Sequence, residues 1–508
     1  MTPETDAASG AESLRSARQR VSRNAIYNLV GETVPILAAL LAIPVLIRSL
    51  GTDRFGLLTI VWMVIGYFGL FDFGLGRALT KIVAGKLGAG RPDDVPSLVW
   101  TALAIMLALG LIGMAIVAAV SPVLVHRVIK MPAVLQPETL RAFELLAVSI
   151  PIVICSAGLR GCLEGMHRFD LVNAVRTPMG VFSFVGPLLV LPFSTSLVAV
   201  VLVLLAGRVV TCLVYLSLLF RAFPTVRRSI GVDRSAIRPL FRFGSWMTVS
   251  NLASPLMTTF DRFIVGMLLS TQAVAYYATP YDVTAKLLVI PGALAGALFP
   301  TFSAEFDSDP TRVRRIFGRS VTHIFLVLFP VTLTIVALAH EGLQLWLGPE
   351  FARASTPVLQ LLAAGILVNS LAFVPLALVQ AVGRPDLAAK LHMVELPLYL
   401  AAIYGMIEWR GIEGAAMASV ARITVDAIGL FVMAWWLLRF RIPVKLLGGL
   451  TVGALLLFGG LSITTVGPIV RILALLLALG GFVIVAWVRL LAPEERMLLV
   501  SRVRAALS

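Results

Sequence analysis

Apolar residues run through this chain in long blocks, broken by short polar, glycine-bearing or proline-bearing segments. Two of the blocks, Ser97–Val125 and Leu446–Val470, hold no charged residue at all. About 30 Å of hydrocarbon, divided by a rise of about 1.5 Å per residue, needs roughly 20 apolar residues. The blocks therefore predict membrane-spanning helices, about fourteen, at 25–48, 55–79, 97–125, 141–163, 171–192, 196–221, 243–269, 273–301, 320–340, 355–382, 387–408, 412–438, 446–467 and 470–490. The fold class expected is an all-α polytopic membrane protein. Its polar segments divide it into a tail (1–24), a lobe of six helices (25–222), a basic linker (223–242), a second six-helix lobe (243–440), two further helices (446–490) and a tail (491–508).

Composition agrees with the pattern. Of 508 residues, 59% are hydrophobic and 14% charged, with a mean hydropathy of +0.95. A soluble domain has about 45–50% apolar and about 25% charged residues. The first 24 residues carry Arg15, Arg18, Arg20 and Arg23 and no apolar core, so a cleavable signal peptide is not expected. Cys155, Cys162 and Cys212 lie in or beside predicted spans, without the spacing of a disulfide framework or a zinc site. No metal or cofactor is expected.

The formal net charge of +15 raises the question of nucleic acid, and its distribution answers it. With the N-terminus in the cytosol and sides alternating, 28 of the 42 lysines and arginines fall on the cytosolic side, 8 outside and 6 within or at the ends of spans. This is the asymmetry of the positive-inside rule. It supports an even helix count, both termini in the cytosol, and attraction for anionic membrane lipids rather than nucleic acid.

The chain also repeats itself. Shifted by 219 residues, "FDFGLGRALTKIVAG" (71–85) lies on "IPGALAGALFPTFSA" (290–304); shifted by 216, the Arg168/Asp170/Leu171 core meets Arg384/Asp386/Leu387; near 214, Gly207-Arg208-Val209 meets Ala421-Arg422-Ile423. The unit is six helices, an even number, so the two copies enter the membrane in the same orientation. Parallel repeats of this kind are a transporter architecture, with the binding site expected between the halves near mid-depth. The small-residue rhythm around Gly74, Gly76 and Ala78 recurs in the second copy, which assigns it to close helix packing. Asp72 and Arg77 do not recur: Pro291 and Gly296 stand in their places. The Asp72-Phe73-Gly74 triplet is not the metal-holding triplet of a kinase, since no glycine-rich loop or catalytic loop accompanies it.

The Arg23-Asn24 start, "IRSLGTDRFGLLTI", "DFGLGRALTKIVAG" and "FDRFIVGMLLSTQAVAYYATPYDV" resemble the bacterial polysaccharide, or O-antigen, repeat-unit flippases. These belong to the multidrug, oligosaccharidyl-lipid and polysaccharide exporter superfamily. The resemblance covers essentially the whole chain. It implies two six-helix lobes forming a V around a central cavity, with two added C-terminal helices that form a groove for a lipid tail. It further implies an undecaprenyl-pyrophosphate-linked oligosaccharide as substrate, moved from the inner to the outer leaflet of the bacterial cytoplasmic membrane, and other polysaccharide-assembly membrane proteins as partners.

Ionisable groups at membrane depth cost about 2.5–3.5 kcal/mol on insertion scales and mark functional positions. Arg208 and Arg422 occupy matching places in the two halves, Lys286 lies near the middle of the eighth span and Arg262 in the outer half of the seventh. Arginine suits a pyrophosphate because its guanidinium forms paired hydrogen bonds to phosphate oxygens. The alternative is internal neutralisation, by the i,i+4 pairs Asp282/Lys286 and Arg422/Asp426. Arg77, near the inner interface, is either a further contact or a snorkelling side chain. Glu32, Asp72 and Asp282 are candidates for proton or sodium coupling or for salt bridges at the lobe interface. Coupling is not obligatory, because an inside-negative potential drives an anion outward with about 2.3 kcal/mol per charge per 100 mV. Pro35, Pro44, Pro255, Pro280, Pro291 and Pro300 are expected to bend the first, seventh and eighth spans.

Two other functions remain open at this point. A multidrug or cation antiporter of the same superfamily would favour an acidic, aromatic-lined cavity, whereas these mid-depth charges lean basic. A membrane glycosyltransferase or polymerase would need catalytic acids on a sizeable outer loop. The longest outer loops here, roughly 126–140 and 341–354, are short, and no P-loop lysine motif is present.

Overall fold

The computed structural model describes residues 34–67, 74–228, 259–439, 467–491 and 493–497, with single positions 231, 233, 237, 453 and 501. All regular elements among the described residues are helical. The chain folds as two compact units, Met1–Leu256 and Met257–Ser508. Among the described residues, nine helices are long and apolar enough to cross a membrane. The predicted spans 25–48, 55–79, 243–269 and 446–467 and the predicted linker 223–242 lie partly or mostly outside the described residues.

Unit 1 contains α1 (Val34–Leu50), α2 (Thr52–Tyr67), α3 (Leu75–Gly88), α4 (Val95–Val123), α5 (Gln136–Gly165), α6 (Phe169–Val190) and α7 (Leu197–Ala222). Helix α5 is its axis, packed on α2, α3, α4, α6 and α7. Small residues allow the approach. A Cβ on Gly161 would stand 2.4 Å from the Gly76 carbonyl oxygen of α3, and one on Gly110 of α4 would stand 2.5 Å from the Pro151 backbone of α5. Leu75, Gly76, Ala78, Leu79 and Val83 of α3 are buried, so the rhythm read from the sequence is a packing surface here. Glu138, at the start of α5, receives both Arg54 of α2 (Nη2–Oε2 2.9 Å) and the backbone N–H of Leu197 at the start of α7.

Unit 2 contains α8 (259–268), α9 (Thr271–Ala285), α10 (Val289–Glu305), α11 (Pro310–Ala337), α12 (Ala339–Leu347), α13 (Pro349–Ala381), α14 (Pro385–Arg410), α15 (Ile412–Leu438) and α16 (Pro468–Val485). Its axis is α13, packed on α9, α10, α11 and α12 and on α14 and α15. The single predicted span 273–301 is α9 and α10 joined by a tight 3-10 turn, Lys286–Leu288. Pro291 lacks the N–H that would bond to the Leu287 carbonyl, and the chain tightens just before it. The predicted outer loop 341–354 is instead the short α12 running into α13. Helix α16 packs on α11. Arg471 pairs with Glu341 at 2.9 Å and Phe482 meets Phe329 with centroids 4.6 Å apart. Beyond the helix, Glu494 and Glu495 reach Arg319 and His323 of α11.

The repeat is visible in local geometry. Arg168 grips Asp170 through two hydrogen bonds of 3.0 Å at the start of α6. Arg384 grips Asp386 through bonds of 3.1 and 3.4 Å at the start of α14. The residue before each arginine has positive φ, 58° at His167 and 76° at Gly383.

Candidate functional site

A group of polar residues from four helices of unit 2 lies close together. Asp261 and Arg262 come from α8, Tyr277, Tyr281 and Asp282 from α9, His392, Glu395 and Tyr399 from α14, and Ser419, Arg422 and Asp426 from α15. Within each helix these lie mainly three or four residues apart, and so on one face.

The group is closed by hydrogen bonds. The Tyr277 hydroxyl donates to Asp261 Oδ2 at 2.5 Å and lies 3.0 Å from Ser419 Oγ, which is 3.2 Å from the Tyr399 hydroxyl. Asp261 Oδ1 accepts from the Arg262 backbone N–H at 2.8 Å. Arg262 forms an ion pair with Asp282 and lies 5.1 Å from the Tyr281 ring centre. Buried polar groups need such partners, since each one left unpaired costs about 1–3 kcal/mol. Arg422 lies 5.4 Å from the ring centre of Tyr399, a cation–π contact, and its Nε is buried without a hydrogen-bond acceptor among the described residues.

Next to this network, His392 Nε2 lies 3.2 Å from Asp426 Oδ1. Glu395 is 4% exposed, and neither of its carboxylate oxygens has a partner among the described residues. One ring nitrogen of His392 and one oxygen each of Glu395 and Asp426 lie within 4.8 Å of one another.

In unit 1, Arg208 of α7 has a buried Nε without an acceptor and no ion pair among the described residues. Arg77 is exposed on α3. Lys286 is exposed on the 3-10 turn, and Asp282, one turn before it, is engaged by Arg262 instead. Asp426 is likewise engaged by His392 rather than Arg422. Neither i,i+4 pair anticipated from the sequence is formed, because a partner on a neighbouring helix takes the carboxylate in each case. Glu32 and Asp72 lie outside the described residues. Sequence reasoning singled out cations for their affinity for phosphate and passed over Asp261, Tyr277 and Glu395. Glu395 was nonetheless legible, as an acid near the centre of the span 387–408.

Each unit by itself offers one such guanidinium group, Arg208 on α7 of unit 1 and Arg422 on α15 of unit 2. Each keeps an open, buried Nε–H donor and forms no ion pair among the described residues. Donors of this kind are matched to phosphate oxygens.

Known proteins are similar to this chain in sequence and in architecture. The polysaccharide biosynthesis protein family matches residues 21–306. A putative O-antigen transporter of Shigella flexneri is 32% identical over 415 residues, covering 80% of this chain and 96% of that protein. The lipopolysaccharide biosynthesis protein WzxC of Escherichia coli is 21% identical over 418 residues, 81% of this chain and 78% of that protein. Among solved structures, the inward-facing conformation of a multidrug resistance MATE family transporter of the MOP superfamily superposes with a TM-score of 0.69 at 15% identity. It covers 81% of this chain and 98% of that one. That likeness carries the fold alone.

Proposed function

The chain belongs to the polysaccharide biosynthesis protein family, and on that premise we propose that it is a flippase for lipid-linked oligosaccharides. It carries undecaprenyl-pyrophosphate-linked repeat units from the inner to the outer leaflet of a bacterial cytoplasmic membrane, by alternating access between its lobes. Both termini and the basic linker 223–242 face the cytosol. The observation that carries this reading is the match over nearly the full length of a putative O-antigen transporter.

We assign Arg208 of unit 1 and Arg422 of unit 2, each by itself, to contact with the pyrophosphate along its path. A pyrophosphate leaving water loses its hydration, and cationic donors must replace it. Both arginines have a donor to give. Arg262 is held by Asp282, so its part is to position α8 against α9, and Lys286 and Arg77 serve as more exposed contacts along the path.

The test is complementation of a strain lacking its own repeat-unit flippase, with lipid-linked intermediates separated by leaflet. Restored glycan export without added drug resistance is the expected result. Drug resistance without export would identify an extruder instead, and polymer formation without a change in leaflet distribution would identify an enzyme.

A further inference from the structure

One buried group in unit 2 has no chemical account in a flippase of phosphate-bearing lipids. Glu395 lies about 15 Å along α14 from its start at Pro385, near mid-depth of the span. It is 4% exposed, and both carboxylate oxygens lack a hydrogen-bond partner among the described residues. An ionised carboxylate in that position pays a desolvation penalty of several kcal/mol with no donor among the described residues to offset it.

Among the described residues, the charged groups facing it are Asp426 and Arg422 of α15 and His392 of its own helix. Helix α13, packed on both α14 and α15, has no charged residue between Arg353 and Arg384. Asp261 of α8 is engaged by Tyr277, and Arg262 by Asp282 of α9. With both carboxylates ionised and the imidazole neutral, Glu395, Asp426 and Arg422 sum to one negative charge. A single positive charge neutralises the group. Calcium or magnesium would need water to complete six or more oxygen ligands in this buried position, and Arg422 repels a divalent ion. Two carboxylates this close cannot both ionise cheaply, and sharing a proton is the usual resolution.

We propose that Glu395 and Asp426 form a proton-binding site that holds one proton between them, with His392 as the group that exchanges it. The His392 side chain is 28% exposed, whereas Asp426 is 13% exposed, so the imidazole is the more accessible member. In the exchange step the O–H bond of the Glu395 carboxyl breaks as an N–H bond forms on the imidazole. The resulting imidazolium is paired with the Asp426 carboxylate already beside it. The site itself does not depend on the flippase reading; only its use in driving export rests on that reading.

The test is infrared spectroscopy of the purified full-length protein in lipid nanodiscs, titrated with acid and base in sodium-free buffer and without substrate. The carbonyl stretch of a protonated carboxylic acid is expected to appear and vanish with pH, to shift in heavy water, and to be lost in Glu395→Gln. Asp426→Asn, which removes the facing carboxylate, is expected to move the pH at which the band vanishes. Asp170→Asn, at the start of α6, is expected to leave it unchanged. Circular dichroism of each variant establishes that it is folded. A band that persists in folded Glu395→Gln overturns the assignment. So does a titration that follows sodium concentration rather than pH, which would make this a metal-ion site. Because no substrate is present, failure here leaves the flippase reading untouched, and failure of complementation leaves the proton site untouched.

Discussion

In unit 1 the axial helix α5 begins with Glu138, which binds the guanidinium of Arg54 and the first turn of α7. In unit 2 the axial helix α13 begins with Glu350, which accepts from the Tyr276 hydroxyl at 2.7 Å. A glutamate in the first turn of each axial helix thus takes a charged partner in one unit and a neutral one in the other. The interiors diverge further. Unit 2 holds a hydrogen-bonded group of acids, tyrosines and arginines, while the corresponding part of unit 1 has Arg208 with no ion pair among the described residues. Helices α3 and α10 share a small-residue pattern, yet α3 is buried against α5, whereas Ala293, Gly296 and Ala297 of α10 are not. The two units thus share local packing and capping patterns while their polar chemistry differs.

The largest expected effect tests whether the polar group of unit 2 is structural. Asp282→Ala leaves the Arg262 guanidinium, 7% exposed, without its carboxylate. Breaking a buried pair by removing one partner costs about 3–5 kcal/mol. Because Asp282 itself is 40% exposed, the expected loss lies near the lower end, about 3 kcal/mol. Unfolding of the purified protein in detergent measures it. An unchanged midpoint would mean that Arg262 is satisfied elsewhere, and the contrast between the two interiors would fail.

A smaller effect separates α3 from α10. Gly161→Leu drives a side chain into the Gly76 carbonyl, and overpacking of this kind costs about 1–3 kcal/mol. Ala297→Leu on α10 meets open space and is expected to leave the unfolding midpoint unchanged. Equal loss in both variants would show that the exposed face of α10 is covered in the folded protein.

Much of this architecture was legible in the sequence. The span 412–438 coincides with α15, and the R-x-D-L match became two like arginine–aspartate pairs, because helix periodicity and local hydrogen bonding are short-range properties. The helical interruption at Lys286–Leu288 was announced by Pro291. What escaped was tertiary choice among competing partners. Asp282 and Asp426 each had a cation one turn away on their own helix, but Arg262 and His392 reached them from α8 and α14. A sequence shows which side chains share a face; it does not show which neighbouring helix arrives first. Glu395 escaped for a different reason: a lone acid in an apolar span is visible, but its lack of a donor is a property of the packed structure.

Arg208 gives the next test, in which stability and function should separate. Replacing a half-buried charge that has no ion pair among the described residues by an apolar residue removes a desolvation cost, so Arg208→Leu is expected to unfold no earlier than the parent protein. Its glycan export should fall by about tenfold or more, since a lost charge-assisted contact of about 1.4 kcal/mol is one decade in binding. Arg422→Leu should behave alike in export. Arg208→Lys should recover export only in part, because an ammonium lacks the planar fork that matches a phosphate. Export that survives in both leucine variants would remove these two residues from the substrate path.

The smallest expected effect falls where the units are most alike. The Arg168–Asp170 and Arg384–Asp386 pairs sit at helix starts with both partners well exposed, and exposed ion pairs contribute little because water and salt screen them. Asp170→Asn and Asp386→Asn should therefore leave the unfolding midpoint nearly where it was. They should not be identical, however. Lys390, one turn further along α14, also reaches Asp386 at 3.2 Å, a contact with no counterpart at Asp170 among the described residues. Asp386→Asn loses two partners and Asp170→Asn loses one, so the second-unit variant should be the more perturbed, and the difference should fade as salt is raised. A salt-independent difference, or a larger effect at Asp170, would mean that the paired motif has diverged in role between the copies as their interiors have.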